Sequence, residues 1–330
     1  MRLDRMFTSH MVFAAGKPIY VWGEGTGCGS IEFDGEVRHF CSVDNRWEVE
    51  FPPKTYGGPY ELRAEFDGET VVLEDIVIGE VYLLAGQSNL QFKISDGSEA
   101  GMQPDLSLDI RLYSPERLEA NETLHPEDGW VKNGDRIESW SAIGYLLGNH
   151  VAREKNVAVG LISCYQGASC IESWMPVGTL DKLGIHLTRE EKFPDHFLGG
   201  FNWNEDGVLY ERAFGQIVPF QFSAVIWYQG ESDTSVAEGK VYVDELGAMI
   251  DVWRSDLRDE KLPFVIIQIA DFDIRTDDGW KMIQQAQLEI QSRRDNVVTV
   301  ISKDVCESDE IHPKTKSRLA ERVASALRKF

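Results

Sequence analysis

The rhythm of the chain changes near Glu80, and that change limits the folds open to it. From there on, short apolar runs at residues 81–85, 110–113, 157–163, 224–228, 264–269 and 297–302 alternate with stretches of helical periodicity. Runs this short, bounded by glycine and turn residues, read as strands buried on both faces. Ile143, Leu146, Leu147 and Val151 form one helical stripe, Leu246, Ile250 and Trp253 a second, and Leu319, Val323 and Leu327 a third. Residues 280–292 add a more polar helix. Strands alternating with helices predict a doubly wound α/β domain over residues 76–330, whose ligands bind beyond the carboxyl ends of the strands.

Residues 1–75 follow another rule. Strands are expected at 18–22, 30–33, 37–41, 47–51, 60–66 and 70–73, separated by turn chemistry such as Asp34-Gly35 and Asp67-Gly68. Short strands at this spacing predict a small antiparallel β-sandwich. Trp22 and Trp47 read as core more than as sugar platforms, since aromatics on one strand face usually pack inward.

The first strand of the α/β part ends at Gly86-Gln87-Ser88-Asn89, which sets Ser88 at the sheet edge that takes ligands. Nucleophilic catalysis by serine needs a base, a group orienting that base, and donors for the developing oxyanion. His312, between the last strand and the last helix, opens on the same edge and is the candidate base. The backbone N–H groups of Ser88 and Gly167 and the side-chain amide of Gln229 follow strands expected to flank the first, so they are the candidate oxyanion donors. Gln87 and Asn89, beside Ser88, and Trp174 and Trp203, in the irregular stretch 172–222, are candidate substrate contacts. That stretch reads as the wall or lid of a cleft, because a long loop in a compact domain is usually functional.

Four motifs now stand in order: Gly86-Gln87-Ser88-Asn89; Tyr165-Gln166-Gly167-Ala168-Ser169 with Glu172-Ser173-Trp174; Trp227-Tyr228-Gln229-Gly230-Glu231-Ser232; and Glu310-Ile311-His312-Pro313. Together with Val252-Trp253-Arg254 and Leu262-Pro263-Phe264, they resemble the sialate O-acetylesterase-like branch of the SGNH (GDSL-like) hydrolases from about Gly79 to the C-terminus. The resemblance implies a flavodoxin-like sheet and a serine esterase that removes O-acetyl groups from a carbohydrate through an acetyl-serine intermediate. The substrate it implies is an acetylated sialic acid or an acetylated xylo- or plant oligosaccharide, with no cofactor. For the acid that orients His312 it offers Asp309, three residues before the histidine, then Glu231 of the Gln-Gly-Glu motif, then Glu310. Asp233 stands where the family commonly has asparagine. A non-catalytic carbohydrate-binding protein on the same fold is the competing reading, and intact Ser88, Gln229 and His312 argue against it.

Composition narrows the partners. The formal charge of −22 repels nucleic acid and anionic membranes, so neither is expected, while a homo-oligomer is compatible. Met1 to Arg5 lead into no apolar leader, which gives a cytoplasmic expectation. Five cysteines without a C-x-x-C predict free thiols, and Cys164 reads as buried rather than nucleophilic. No metal is expected: Glu231 and Asp233 offer too few oxygens for a hard cation, and His186 and His196 lack the close spacing of a zinc site.

Overall fold

The computed structural model describes residues 1–118, 124–192 and 202–330. The strands, in chain order, are Arg2–Leu3 (β1), Val12–Ala14 (β2), Ile19–Glu24 (β3), Cys28–Phe33 (β4), Glu36–Cys41 (β5), Arg46–Phe51 (β6), Gly57–Phe66 (β7) and Glu69–Gly86 (β8). Ile110–Tyr113 (β9), Val131–Lys132 (β10), Val159–Tyr165 (β11), Ala224–Tyr228 (β12), Phe264–Ile267 (β13) and Val297–Val300 (β14) follow. The helices are Ser88–Gln91 (α1), Ala142–Lys155 (α2), Thr179–Leu183 (α3), Arg189–Lys192 (α4), Val208–Arg212 (α5), Val236–Asp256 (α6), Asp278–Arg293 (α7) and Ser317–Leu327 (α8).

The architecture is mixed α/β around a large mixed sheet. Its main path runs β10-β9-β11-β8-β12-β13-β14, parallel throughout except for the β9–β10 pair. Two pairs of helices cover opposite faces, as the alternation of side chains along β8 shows. Leu84 points toward Gly144 of α2, which packs on α8. Trp227, register partner of the next residue Ala85, faces the other way and packs edge-on to Trp253 of α6, which packs on α7. Local chemistry sets the helix starts. Ser141 caps α2 by accepting from Gly144 N at 3.1 Å, and Ser235 caps α6 by accepting from Glu238 N at 2.9 Å.

The N-terminal strands form a three-stranded antiparallel sheet, β1-β3-β6, and a second group in which β4 pairs with β5 and β7, and β7 with β8. Both expected hairpins are present, with Asp34, Gly35, Asp67 and Gly68 all at positive φ as a two-residue turn requires. Trp47 stacks on Phe40 with ring centroids 4.2 Å apart, inside the core.

Two expectations change here. The runs at 70–73 and 81–85 are halves of one strand, because β8 continues unbroken across residue 75 and joins the N-terminal group to the parallel sheet. Its residues Val77, Ile78 and Gly79 also pair with β2, a strand absent from the sequence reading. The expectation of five free thiols is corrected as well. Cys28 and Cys41 face each other across the β4–β5 hairpin and form a disulfide, while Cys164, Cys170 and Cys306 are free. Hairpin register brought the pair together, which spacing alone did not disclose.

Among the described residues, no helix is long and apolar enough to cross a membrane.

Candidate active site

Loops from the carboxyl ends of β8, β11, β12, β13 and β14 converge on one cleft of about 930 Å³. Ser88 and Gln87 come from the first loop, Gly167 and Ala168 from the second, Glu231 and Ser232 from the third, Phe272, Ile274 and Arg275 from the fourth, and Ile311 and His312 from the last. A smaller cavity of about 360 Å³ lies beside Arg2, Arg5 and Arg117 and shares no lining residue with this cleft.

Ser88 begins α1 directly after the strand. Gly86 permits this geometry: its φ is +136°, and a Cβ there would lie 2.2 Å from the Tyr228 carbonyl oxygen of the neighbouring strand. Gln87 then holds the turn against the β12 loop, its side-chain carbonyl accepting from Gly230 N at 3.2 Å. Ser88 Oγ lies 2.8 Å from His312 Nε2. Burial, then the nearby Lys316 ammonium, hold the His312 imidazolium below its ordinary pKa, while Glu310 and Asp96 act weakly the other way. The ring is therefore neutral near pH 7, with Nε2 able to accept the Ser88 proton. The backbone N–H groups of Ser88 and Gly167 donate to no protein group among the described residues. Gly167 lines the cleft, as does Trp203.

Three expected site residues are placed elsewhere, and burial is the common reason. Gln229 is fully buried and does not line the cleft: its Nε2 donates to Ser169 O at 2.9 Å and to Asp233 Oδ2, and its Oε1 accepts from Tyr242 Oη at 2.8 Å. Both of its amide protons are thus occupied, and it is not an oxyanion donor here. Trp174 is a core residue, packed edge-on against Trp227 and Trp253, with Nε1 donating to Ser169 Oγ at 3.1 Å. Asn89 is buried and does not line the cleft. Its amide donates to Glu231 Oε1 at 2.6 Å and to the Ile311 carbonyl at 2.9 Å, and its oxygen accepts from Lys316 Nζ at 2.9 Å.

Among the described residues, none of the three candidate carboxylates hydrogen-bonds the His312 ring. Asp309 is exposed, Glu310 pairs with Lys314 at 2.9 Å, and Glu231 is taken up by Asn89. Glu231, buried against the cleft floor, has its carboxyl pKa raised by desolvation, with Asn89 and Lys316 opposing. The free thiol of Cys164 is pushed up to about 12 by burial, which removes it as a nucleophile. His186 is exposed and lies 3.6 Å from Asp181, and His196 lies outside the described residues.

The sequence reading missed Lys316, which sits fully buried with its ammonium 4.7 Å from the Phe92 ring centroid and its pKa lowered to about 8 by desolvation. Its position four residues after His312 was the available signal. Phe92, Phe272, Ile274 and Ile311, which make the cleft wall largely apolar, were missed as well.

An α/β fold with a serine–imidazole contact at the carboxyl edge of its sheet is the framework of an ester hydrolase. Residues 78–329 match the family described as carbohydrate esterase, sialic acid-specific acetylesterase, and the chain belongs to that family of carboxylic ester hydrolases. It is 24% identical to human sialate O-acetylesterase, over 92% of this chain and 65% of the human protein, so it spans about two thirds of that relative's length. A probable carbohydrate esterase of Arabidopsis thaliana is 26% identical over 73% of this chain and 86% of its own. A carbohydrate acetylesterase from Xanthomonas citri superposes with a TM-score of 0.84 at 24% identity, covering 99% of this chain and 74% of its own, and so shares the fold.

Proposed function

We propose that this chain is a serine esterase that removes O-acetyl groups from a sugar. The contact of 2.8 Å between Ser88 Oγ and His312 Nε2 at the base of the cleft carries the reading. Ser88 attacks the acetyl carbonyl while His312 takes its proton. The N–H groups of Ser88 and Gly167 face the oxyanion that forms, a role open to them because no acceptor among the described residues occupies them. As the carbon–oxygen bond to the sugar breaks, His312 gives the proton to the departing sugar oxygen, leaving acetyl-Ser88, and then activates the water that releases acetate.

The order β11-β8-β12-β13-β14 supports a flavodoxin-like sheet of the SGNH kind, since renumbered along the chain it is 2-1-3-4-5, with β8 at the switch point. The family description supports an O-acetylated sialic acid as the first substrate to test, and the Xanthomonas neighbour supports acetylated carbohydrate more broadly. Phe92, Trp203, Phe272 and Ile274 along the cleft suit the apolar face of a sugar ring.

The test is acetate release by the purified chain from O-acetylated sialic acids and from acetylated xylo-oligosaccharides, with Ser88→Ala alongside. The expected outcome is turnover by the intact chain and its loss in Ser88→Ala. Near wild-type release by the variant would remove Ser88 from the mechanism, and sugar binding without turnover by the intact chain would establish a binding protein.

A further inference from the structure

Behind the cleft wall lies a second group of titratable side chains that the esterase reading does not use. Glu172, Asp233, Glu238 and Glu245 are all buried, and the free thiol of Cys170 is buried beside them. They come from the turn at Ile171–Trp174, the loop after β12, and the first half of α6. Lys192 of α4 reaches the edge of the group, with Nζ 2.9 Å from Glu172 Oε1 and 3.3 Å from Asp206.

Ordinary structural roles do not account for these carboxylates. Asp233 is satisfied, accepting from Ile171 N at 3.2 Å and from Gln229. Glu238 occupies the third position of α6, where a glutamate normally folds back on the capping residue's N–H, yet among the described residues no N–H or hydroxyl donates to its oxygens, which face the Glu245 carboxyl instead. Glu245, two turns further along the helix and 0% exposed, likewise receives no N–H or hydroxyl donor among the described residues and meets only the Glu238 carboxyl. Among the described residues, Glu172 meets only the Lys192 ammonium and the weakly donating Cys170 thiol. Nine-tenths-buried carboxylates left without donors are expensive unless something positive sits among them.

The spacing suits such a cation. One oxygen from each of Glu172, Glu238 and Glu245 lies within 4.8 Å of the others. Ligands at 2.3–2.6 Å from one calcium ion are at most about 5 Å apart across it, and calcium accepts bidentate carboxylates up to about eight oxygens in flexible geometry. Magnesium, which prefers a strict octahedron and keeps its waters, suits a dry all-carboxylate site less well.

We propose that Glu172, Glu238 and Glu245 form a structural site for one calcium ion, which ties the turn at Ile171–Trp174 to α6, with Lys192 as the competing cation at its rim. Burial together with repulsion from the neighbouring carboxylates pushes the Glu238 carboxyl well up and that of Glu245 up to about 8, the Lys192 ammonium opposing, which reflects the cost of ionising them together. The site is separate from Ser88 and His312, so its failure would leave the esterase reading untouched.

The experiment is calorimetric titration of the EDTA-treated, dialysed full chain with calcium chloride, together with its thermal unfolding midpoint. One calcium per chain is expected, with a rise of about 5 °C in the midpoint at roughly 100-fold excess over Kd. Glu238→Gln and Glu245→Gln, which keep side-chain volume, should each weaken binding roughly 100-fold or more. Lys192→Met should tighten it by about tenfold or more, because a repelling charge leaves the rim. This variant decides the matter if the glutamine variants fail to fold. Absence of calcium binding by the wild type, undiminished binding in both glutamine variants, or an unchanged Kd in Lys192→Met would each overturn the proposal, leaving a cluster neutralised by protons.

Discussion

Asn89 donates to the carbonyl of Ile311 at 2.9 Å, although 222 residues separate them. Each is the chain neighbour of one partner in the serine–histidine contact, so this bond ties the Ser88 turn to the His312 loop. Lys316 and Glu231 complete the anchor, at 2.9 and 2.6 Å from the same side chain. Asn89→Ala should therefore lower stability by about 3 kcal/mol, since it strands a buried ammonium and a buried carboxyl. It should also lower kcat roughly 100-fold, the scale of a 1 Å misplacement of reacting groups. Urea unfolding and steady-state kinetics read the two effects, and a wild-type kcat would show that the tether does not position the site.

The depressed pKa of His312 has a definite sign in a pH profile. Only the neutral ring accepts the Ser88 proton, so kcat/KM should rise as His312 deprotonates, with its midpoint below the ordinary value of 6.5, and then level off. In Lys316→Met one depressing charge is gone, while Glu310 and Asp96 still favour the imidazolium, so the midpoint should move upward. Profiles of kcat/KM against pH test this. A wild-type midpoint at or above 6.5, or one that Lys316→Met leaves in place, would contradict the assignment.

No carboxylate among the described residues is bonded to the His312 ring, and this leads to an unusual expectation for the acid series. Asp309→Asn, Glu310→Gln and Asp96→Asn should each change kcat by less than about tenfold, against the roughly 10⁴ lost when a true triad acid is replaced. Single-turnover rates provide the comparison. A loss of about 10³ or more in one variant would identify that residue as the orienting acid and show that the segment at 307–313 rearranges around substrate.

Gln229 should behave as a structural residue. Its truncation to alanine removes one buried hydrogen-bond partner each from Asp233 and Tyr242, so the thermal midpoint should fall while kcat/KM stays within about tenfold of wild type. The opposite pattern, a loss of 10²–10³ in kcat at unchanged stability, is that of a missing oxyanion donor and would return Gln229 to the site.

What the sequence determined by itself was local in origin. Strand and helix periodicity, the two Asp-Gly hairpins, and the placing of Ser88, Gly167 and His312 after β8, β11 and β14 all follow from patterns within a few residues, and parallel winding then carries those loops to one edge. Gln229 shares a motif with Glu231, yet one faces the core and the other the cleft, because the chain leaves β12 and turns between them at Gly230, whose φ is +143°. Trp174 was drawn inward by Trp227 and Trp253, from segments remote in sequence. Cys28 met Cys41 through register, β8 fused two expected strands, and Asn89 found Ile311 across most of the chain. Tertiary structure alone decided these, since each depends on which distant segment a residue meets, and on the burial that turns a polar side chain into an anchor, a tether or a ligand.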